Sequence, residues 1–127
     1  MLQAIIAISA GASIGAVLRW MFGTSLNAVW LTIPLGTLLA NCVGGYLIGI
    51  AVTVFAHQPS LAPEWRLFVI TGFLGGLTTF STFSAEVMVL IQQGRLSWAF
   101  AAISAHVIGS LALTFLGIAS ANQFIQR

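Results

Sequence analysis

The chain has 127 residues, of which 59% are hydrophobic and 5% are charged, with a formal net charge of +2. A soluble domain carries about 25% charged residues, so this composition excludes an ordinary water-facing surface. An excess of +2 with no basic run also excludes a nucleic-acid binder.

A spanning helix needs roughly 20 mostly apolar residues. Four segments qualify, which predicts an all-α membrane protein with one four-helix domain over residues 1–127. The first runs from Leu2 to about Met21 and is uncharged until Arg19. With no charged leader and no cleavage site, it reads as a membrane helix and not as a signal peptide.

A polar stretch from Gly23 to Thr32 leads to the second span, from about Ile33 to Ala56. Within it Thr37, Asn41, Gly45 and Gly49 recur at spacing four and form one small, polar face. Asn41 carries an amide donor to membrane depth, where the plainest role is an interhelical hydrogen bond worth ~0.6 kcal/mol. The single cysteine, Cys42, follows it and can form no disulfide within the chain.

His57 to Arg66, with Pro59, Pro63 and Glu64, separates the third span, from about Leu67 to Gln92. Gly72, Gly75 and Gly76 lie close together there. Thr78, Thr79, Ser81, Thr82 and Ser84 follow as five hydroxyls in seven residues. Glycine favours non-helical backbone, and Ser or Thr can satisfy backbone groups released from a helix. The third helix is therefore expected to be broken. A start at Leu67 puts position 77 about 15 Å along, half of a ~30 Å hydrocarbon core, so the break is expected near the bilayer midplane. Irregular backbone at that depth must be buried in protein or line a polar cavity. Freed carbonyls there can hold a cation and freed N–H groups can face an anion. Phe80 and Phe83 share a face of the same span, and the positive edge of an aromatic ring can meet a small anion without binding it tightly. Glu86, about 28 Å along by the same rise, is expected near the opposite interface.

Gln93, Gly94 and Arg95 make a tight connection to the fourth span, from about Leu96 to Phe124. There His106, Ser110 and Thr114 recur at spacing four, a stripe suited to lining a path. Trp20, Trp30, Trp65 and Trp98 fall at the expected helix ends, where indoles favour the interface. GxxxG pairs at Gly11–Gly15, Gly45–Gly49 and Gly72–Gly76 predict close helix packing. With four spans, Arg66 and Arg127 share one side of the membrane, and Arg19 and Arg95 the other. The positive-inside rule then gives no preferred orientation. That balance fits a weakly oriented protein, and it also fits a chain that inserts both ways and pairs antiparallel. No carboxylate pair, nucleophile–base set, metal-ligand spacing or phosphate loop is present, so no enzyme is expected.

The run Gly75 to Ser84, G-G-L-T-T-F-S-T-F-S, followed by Glu86, closely resembles the signature of the Fluc/CrcB fluoride channels. Supporting stretches are Gly15 to Trp20, Pro34 to Asn41 and His106 to Ser110, so the resemblance covers the whole chain. It implies an antiparallel, dual-topology homodimer in the bacterial inner membrane that passes fluoride passively and lowers its cytoplasmic concentration. It implies a structural, untransported Na⁺ at the dimer centre, held by the main-chain carbonyls of Gly75 and Thr78. It matches Phe80, Phe83 and Asn41 to the fluoride pathway, together with the hydroxyl-rich stretch of Ser81, Thr82 and Ser84. It matches Arg19 to a vestibule arginine. The alternative is a small dual-topology multidrug exporter, which needs an acidic residue in helix one, and this helix has none. A scaffold that transports nothing is a third class.

Overall fold

The computed structural model describes residues 1–126; Arg127, used above in the charge balance, lies outside the described residues. The described residues form helices and connections with no strand. Four stretches are long and apolar enough to cross a membrane: Leu2–Leu26, Leu35–His57, Pro63–Gln92 and Leu96–Ile125. Large apolar side chains such as Ile5, Val17, Leu111 and Phe115 stand exposed on helices one and four. That surface suits lipid and not water.

Helix one is longer than the sequence suggests. It continues through Gly23, Thr24 and Ser25 to Leu26, because the Thr24 hydroxyl bonds back to the carbonyls of Trp20 and Met21 at 3.1 Å each instead of starting a turn. Arg19 and Trp20 therefore lie inside this helix and do not end it. Helix two starts after Pro34. Its first N–H groups are capped from the preceding connection, where Asn27 Oδ1 accepts from Gly36 N at 2.8 Å and Thr37 N at 3.2 Å. The third span begins at Pro63, earlier than expected, since proline at the first helical position loses no hydrogen bond. The turn into helix four closes with Gly94 N on Ile91 O and Arg95 N on Leu90 O, both at 2.9 Å. Gly94 sits there at φ +71°, a conformation that glycine adopts without strain.

Helix one packs mainly on the first half of the third span, and helix two mainly on helix four. Both contacts rest on missing side chains. A Cβ at Gly72 would lie 2.7 Å from the Ile8 carbonyl oxygen, and one at Gly15 would strike the backbone of Phe73 and Leu77. Gly45 and Gly49 abut the backbone of helix four at Ser110 and Thr114 in the same way. Small residues let membrane helices approach closely enough for dispersion forces to hold them.

The third span is irregular. Leu67–Leu74 winds as a wide π-helix, Gly75–Leu77 returns to α, and Thr78 and Thr79 are extended at φ −80°, ψ 152° and φ −148°, ψ 109°. Phe80–Gln92 then resumes as an α-helix. The extended pair sits in the middle of the 30-residue stretch from Pro63 to Gln92.

Candidate functional site

The extended pair is held from helix two. Asn41 Oδ1 accepts from Thr79 N at 2.7 Å, and Asn41 Nδ2 donates to Thr79 O at 3.0 Å. The side-chain amide thus replaces a peptide partner on both sides of one residue. In a continuous helix Thr79 N–H would bond to Gly75 O, four residues back. Thr82 N–H would bond to Thr78 O in the same way, and it is taken by Thr79 Oγ1 at 3.2 Å. Thr79 is accordingly the N-cap of the second half of the span. The carbonyls of Gly75 and Thr78 are the two that lose their helical donors to these contacts.

Neighbouring groups are accounted for differently. Leu74 O accepts from both Thr78 N at 3.0 Å and Thr78 Oγ1 at 2.8 Å. Gly76 O accepts from Arg19 Nε at 2.9 Å. Arg19 is therefore tied to the third span and is not simply reaching for the interface.

A groove of about 540 Å³ runs along this region between helix two, the third span and helix four. Asn41, Gly75, Thr78, Phe80, Phe83, His106, Ser110 and Thr114 are among the residues that line it. Phe83 is buried, with its ring centroid 4.5 Å from the His106 ring and 5.5 Å from the Phe80 ring. Phe80 is 78% exposed, so one chain leaves this ring without a wall. Ser81, Thr82 and Ser84 do not line the groove. Thr82 lines a second cavity of about 410 Å³ with Arg19, Trp20 and Thr24. Ser81 is exposed, its hydroxyl 3.4 Å from that of Thr79.

The hydroxyl and amide hydrogens decide what the groove can offer an anion. Ser84 gives its hydrogen to Phe80 O at 2.8 Å, and Thr114 gives its own to Ser110 O at 2.9 Å. Asn41 is also fully engaged, because its second amide hydrogen goes to His106 Nδ1 at 3.1 Å. His106 is buried, and its other ring nitrogen, Nε2, makes no hydrogen bond within the described residues and is not enclosed. Glu86 is likewise engaged, accepting from the Thr37 hydroxyl at 2.5 Å. Its side chain is half-buried between helix two and the third span.

Three contacts escape a reading of the sequence: Asn41 with Thr79, Arg19 with Gly76, and Thr37 with Glu86. Each joins residues at least 38 positions apart. The nearest sequence signal was Asn41 itself, a polar group whose depth demands a partner.

The family described as CrcB-like protein, Camphor Resistance (CrcB), matches residues 6–118. A protein of Tolumonas auensis is 68% identical over 127 residues, covering 100% of this chain and 99% of its own length. A protein of Pseudomonas aeruginosa is 61% identical with 100% of both chains covered. One of Nitrosomonas europaea is 52% identical with 98% of each covered. All three relatives are named fluoride-specific ion channel FluC.

Proposed function

We infer that this chain, which belongs to the CrcB-like protein family, is a fluoride-specific ion channel and a multi-pass bacterial membrane protein. It moves an ion and performs no enzymatic reaction. The observation that carries the residue-level reading is the groove. Its walls are mostly apolar, and its polar contribution is a short set of donors and ring edges around Phe80, Phe83, His106 and Ser110. Fluoride is small and strongly hydrated, so a path must replace its water without holding it fast. Aromatic edges and neutral N–H or O–H donors supply partial positive charge where a fixed cation would trap the ion. Asn41 lines this path as part of its frame, and Arg19 stands at the second cavity, which we assign to the vestibule.

Passive flow is sufficient for export. Hydrogen fluoride is a weak acid that crosses membranes uncharged and dissociates in a neutral cytoplasm. A negative-inside potential then drives the anion out by about 2.3 kcal/mol per 100 mV. The inner membrane is where that potential lies.

The working unit is an antiparallel homodimer with dual topology, and the break in the third span sits near the bilayer midplane. Four features support this reading. The groove opens on the side of a single chain, Phe80 is bare there, the four arginines of the sequence divide two against two between the expected sides, and the extended pair is central in its stretch. A two-fold axis in the membrane plane would carry midplane carbonyls onto their counterparts. The Gly75 and Thr78 carbonyls, free of helical donors, have the hard oxygen chemistry that Na⁺ requires. One chain offers two of them and its partner two more. When bound, the ion would neutralise these converging dipoles and hold the two breaks together.

Purified protein in liposomes loaded with fluoride or chloride tests the central claim with an ion-selective electrode. Fluoride leaves and chloride stays. Equal fluxes of the two anions would refute the selectivity on which the reading stands.

A further inference from the structure

We propose that His106 is a positioning residue: held as its Nε2–H tautomer, it locks the Asn41 amide in the orientation that keeps Thr78 and Thr79 extended. The orientation of Asn41 is fixed first by the backbone. Thr79 N–H is a donor only and Thr79 C=O an acceptor only, so the atom facing the former is Oδ1 and the atom facing the latter is Nδ2. An amide nitrogen has two hydrogens and no acceptor capacity. The second hydrogen meets His106 Nδ1 at 3.1 Å, so Nδ1 must be the bare, accepting nitrogen of the ring.

The ring proton then lies on Nε2, which has no partner within the described residues and is not enclosed, on a residue that lines the groove. The ring cannot readily turn away, because it is buried and packed against Phe83. A half-turn of the Asn41 amide would set Nδ2 against Thr79 N–H and Oδ1 against Thr79 C=O, two repulsive contacts, and would take its hydrogen from His106. Helix four therefore controls the shape of the third span through helix two. Asn41 spends its donors on this frame, and the histidine presents the N–H.

The second histidine supplies an internal contrast. His57 Nδ1 lies 2.9 Å from the Thr53 carbonyl oxygen, which can only accept. His57 must therefore carry its proton on Nδ1, opposite to His106.

Solid-state NMR of the nitrogen-15 histidine-labelled protein in liposomes, at mildly alkaline pH, tests the assignment directly. His106 should show a pyridine-type Nδ1 and a pyrrole-type Nε2, and His57 a pyrrole-type Nδ1. A His106 proton on Nδ1 would overturn the proposal. A second arm reads fluoride efflux and rests on the channel reading. His106→Leu removes the acceptor and leaves a part-buried amide hydrogen unpaired, so efflux should fall about fivefold or more. His106→Asn places an acceptor near the Nδ1 position but gives up the ring N–H, so it should lose clearly less flux than His106→Leu without matching the wild type. Equal losses in both variants, or none in His106→Leu, would also overturn it. A wild-type protein that passes no fluoride would defeat the channel reading and leave the tautomer result standing.

Discussion

Asn41→Leu is the substitution that reaches furthest. Leucine keeps the branched shape and heavy-atom count of asparagine, so the change removes the two bonds to Thr79 and the one to His106 without opening a large cavity. Side-chain bonds between membrane helices average ~0.6 kcal/mol, which gives about 2 kcal/mol for the three. That average holds when the abandoned groups find new partners. The N–H and C=O of Thr79 are buried, and left unpaired they would cost about 1–3 kcal/mol each, or about 2–6 together. The chain can avoid this larger cost by returning Thr79 N–H to Gly75 O and closing the helix. Closure removes the extended pair, and orphaning leaves it extended without its anchor. Thermal unfolding in detergent, followed by tryptophan fluorescence, separates the two. A fall worth about 2 kcal/mol marks helix closure, and a fall larger by about 2–6 kcal/mol marks orphaned backbone. Fluoride efflux from liposomes should drop in both cases. Wild-type efflux at wild-type stability would refute the argument that Asn41 holds the break.

Other substitutions probe the frame and the rings separately. Gly49→Val would drive a side chain into the helix-four backbone at Thr114. It should destabilise the protein by about 1–3 kcal/mol, read from the same unfolding assay. Phe80→Ile and Phe83→Ile each remove an aromatic edge from the groove and should slow fluoride efflux while size-exclusion chromatography shows the assembly intact. Unchanged flux in both would take the rings out of the pathway.

The four spans are legible because each is a long apolar run whose length alone demands a membrane. The close helix contacts are legible too, since Gly11, Gly45, Gly49 and Gly72 announce themselves by spacing. Helix ends are harder. Gly23 to Ser25 has the composition of a turn, yet a single hydroxyl of Thr24 folds it into the helix. The hydroxyl-rich run from Thr78 to Ser84 is visible as a composition. Its division of labour is not, because the partner of each hydroxyl depends on local winding. Thr79 caps, Ser84 bonds back to Phe80, and Thr82 faces the second cavity. Asn41 stands out in the sequence as a donor at depth. That both its hydrogens are already committed follows only from which helices meet.

The proposed cation site and the proposed anion path meet at one residue, and that link yields a last prediction. Thr79 Oγ1 takes the N–H of Thr82, which otherwise belongs to Thr78 O. In Thr79→Val no side-chain oxygen remains, and the N–H is drawn back to that carbonyl. Thr78 O would then be turned along the helix axis and shared with a donor, which weakens it as a ligand for a positive ion. If the freed carbonyls hold Na⁺, Thr79→Val should require more Na⁺ than the wild type to reach full fluoride efflux when N-methylglucamine is the replacement cation. Thr79→Ser keeps the oxygen and should behave as the wild type. Phe80→Ile should lower the plateau without moving the Na⁺ midpoint, because its ring lies outside the hydrogen bonds that release the carbonyls. Identical Na⁺ titrations for Thr79→Val and wild type would mean that these carbonyls serve the fold and hold no cation.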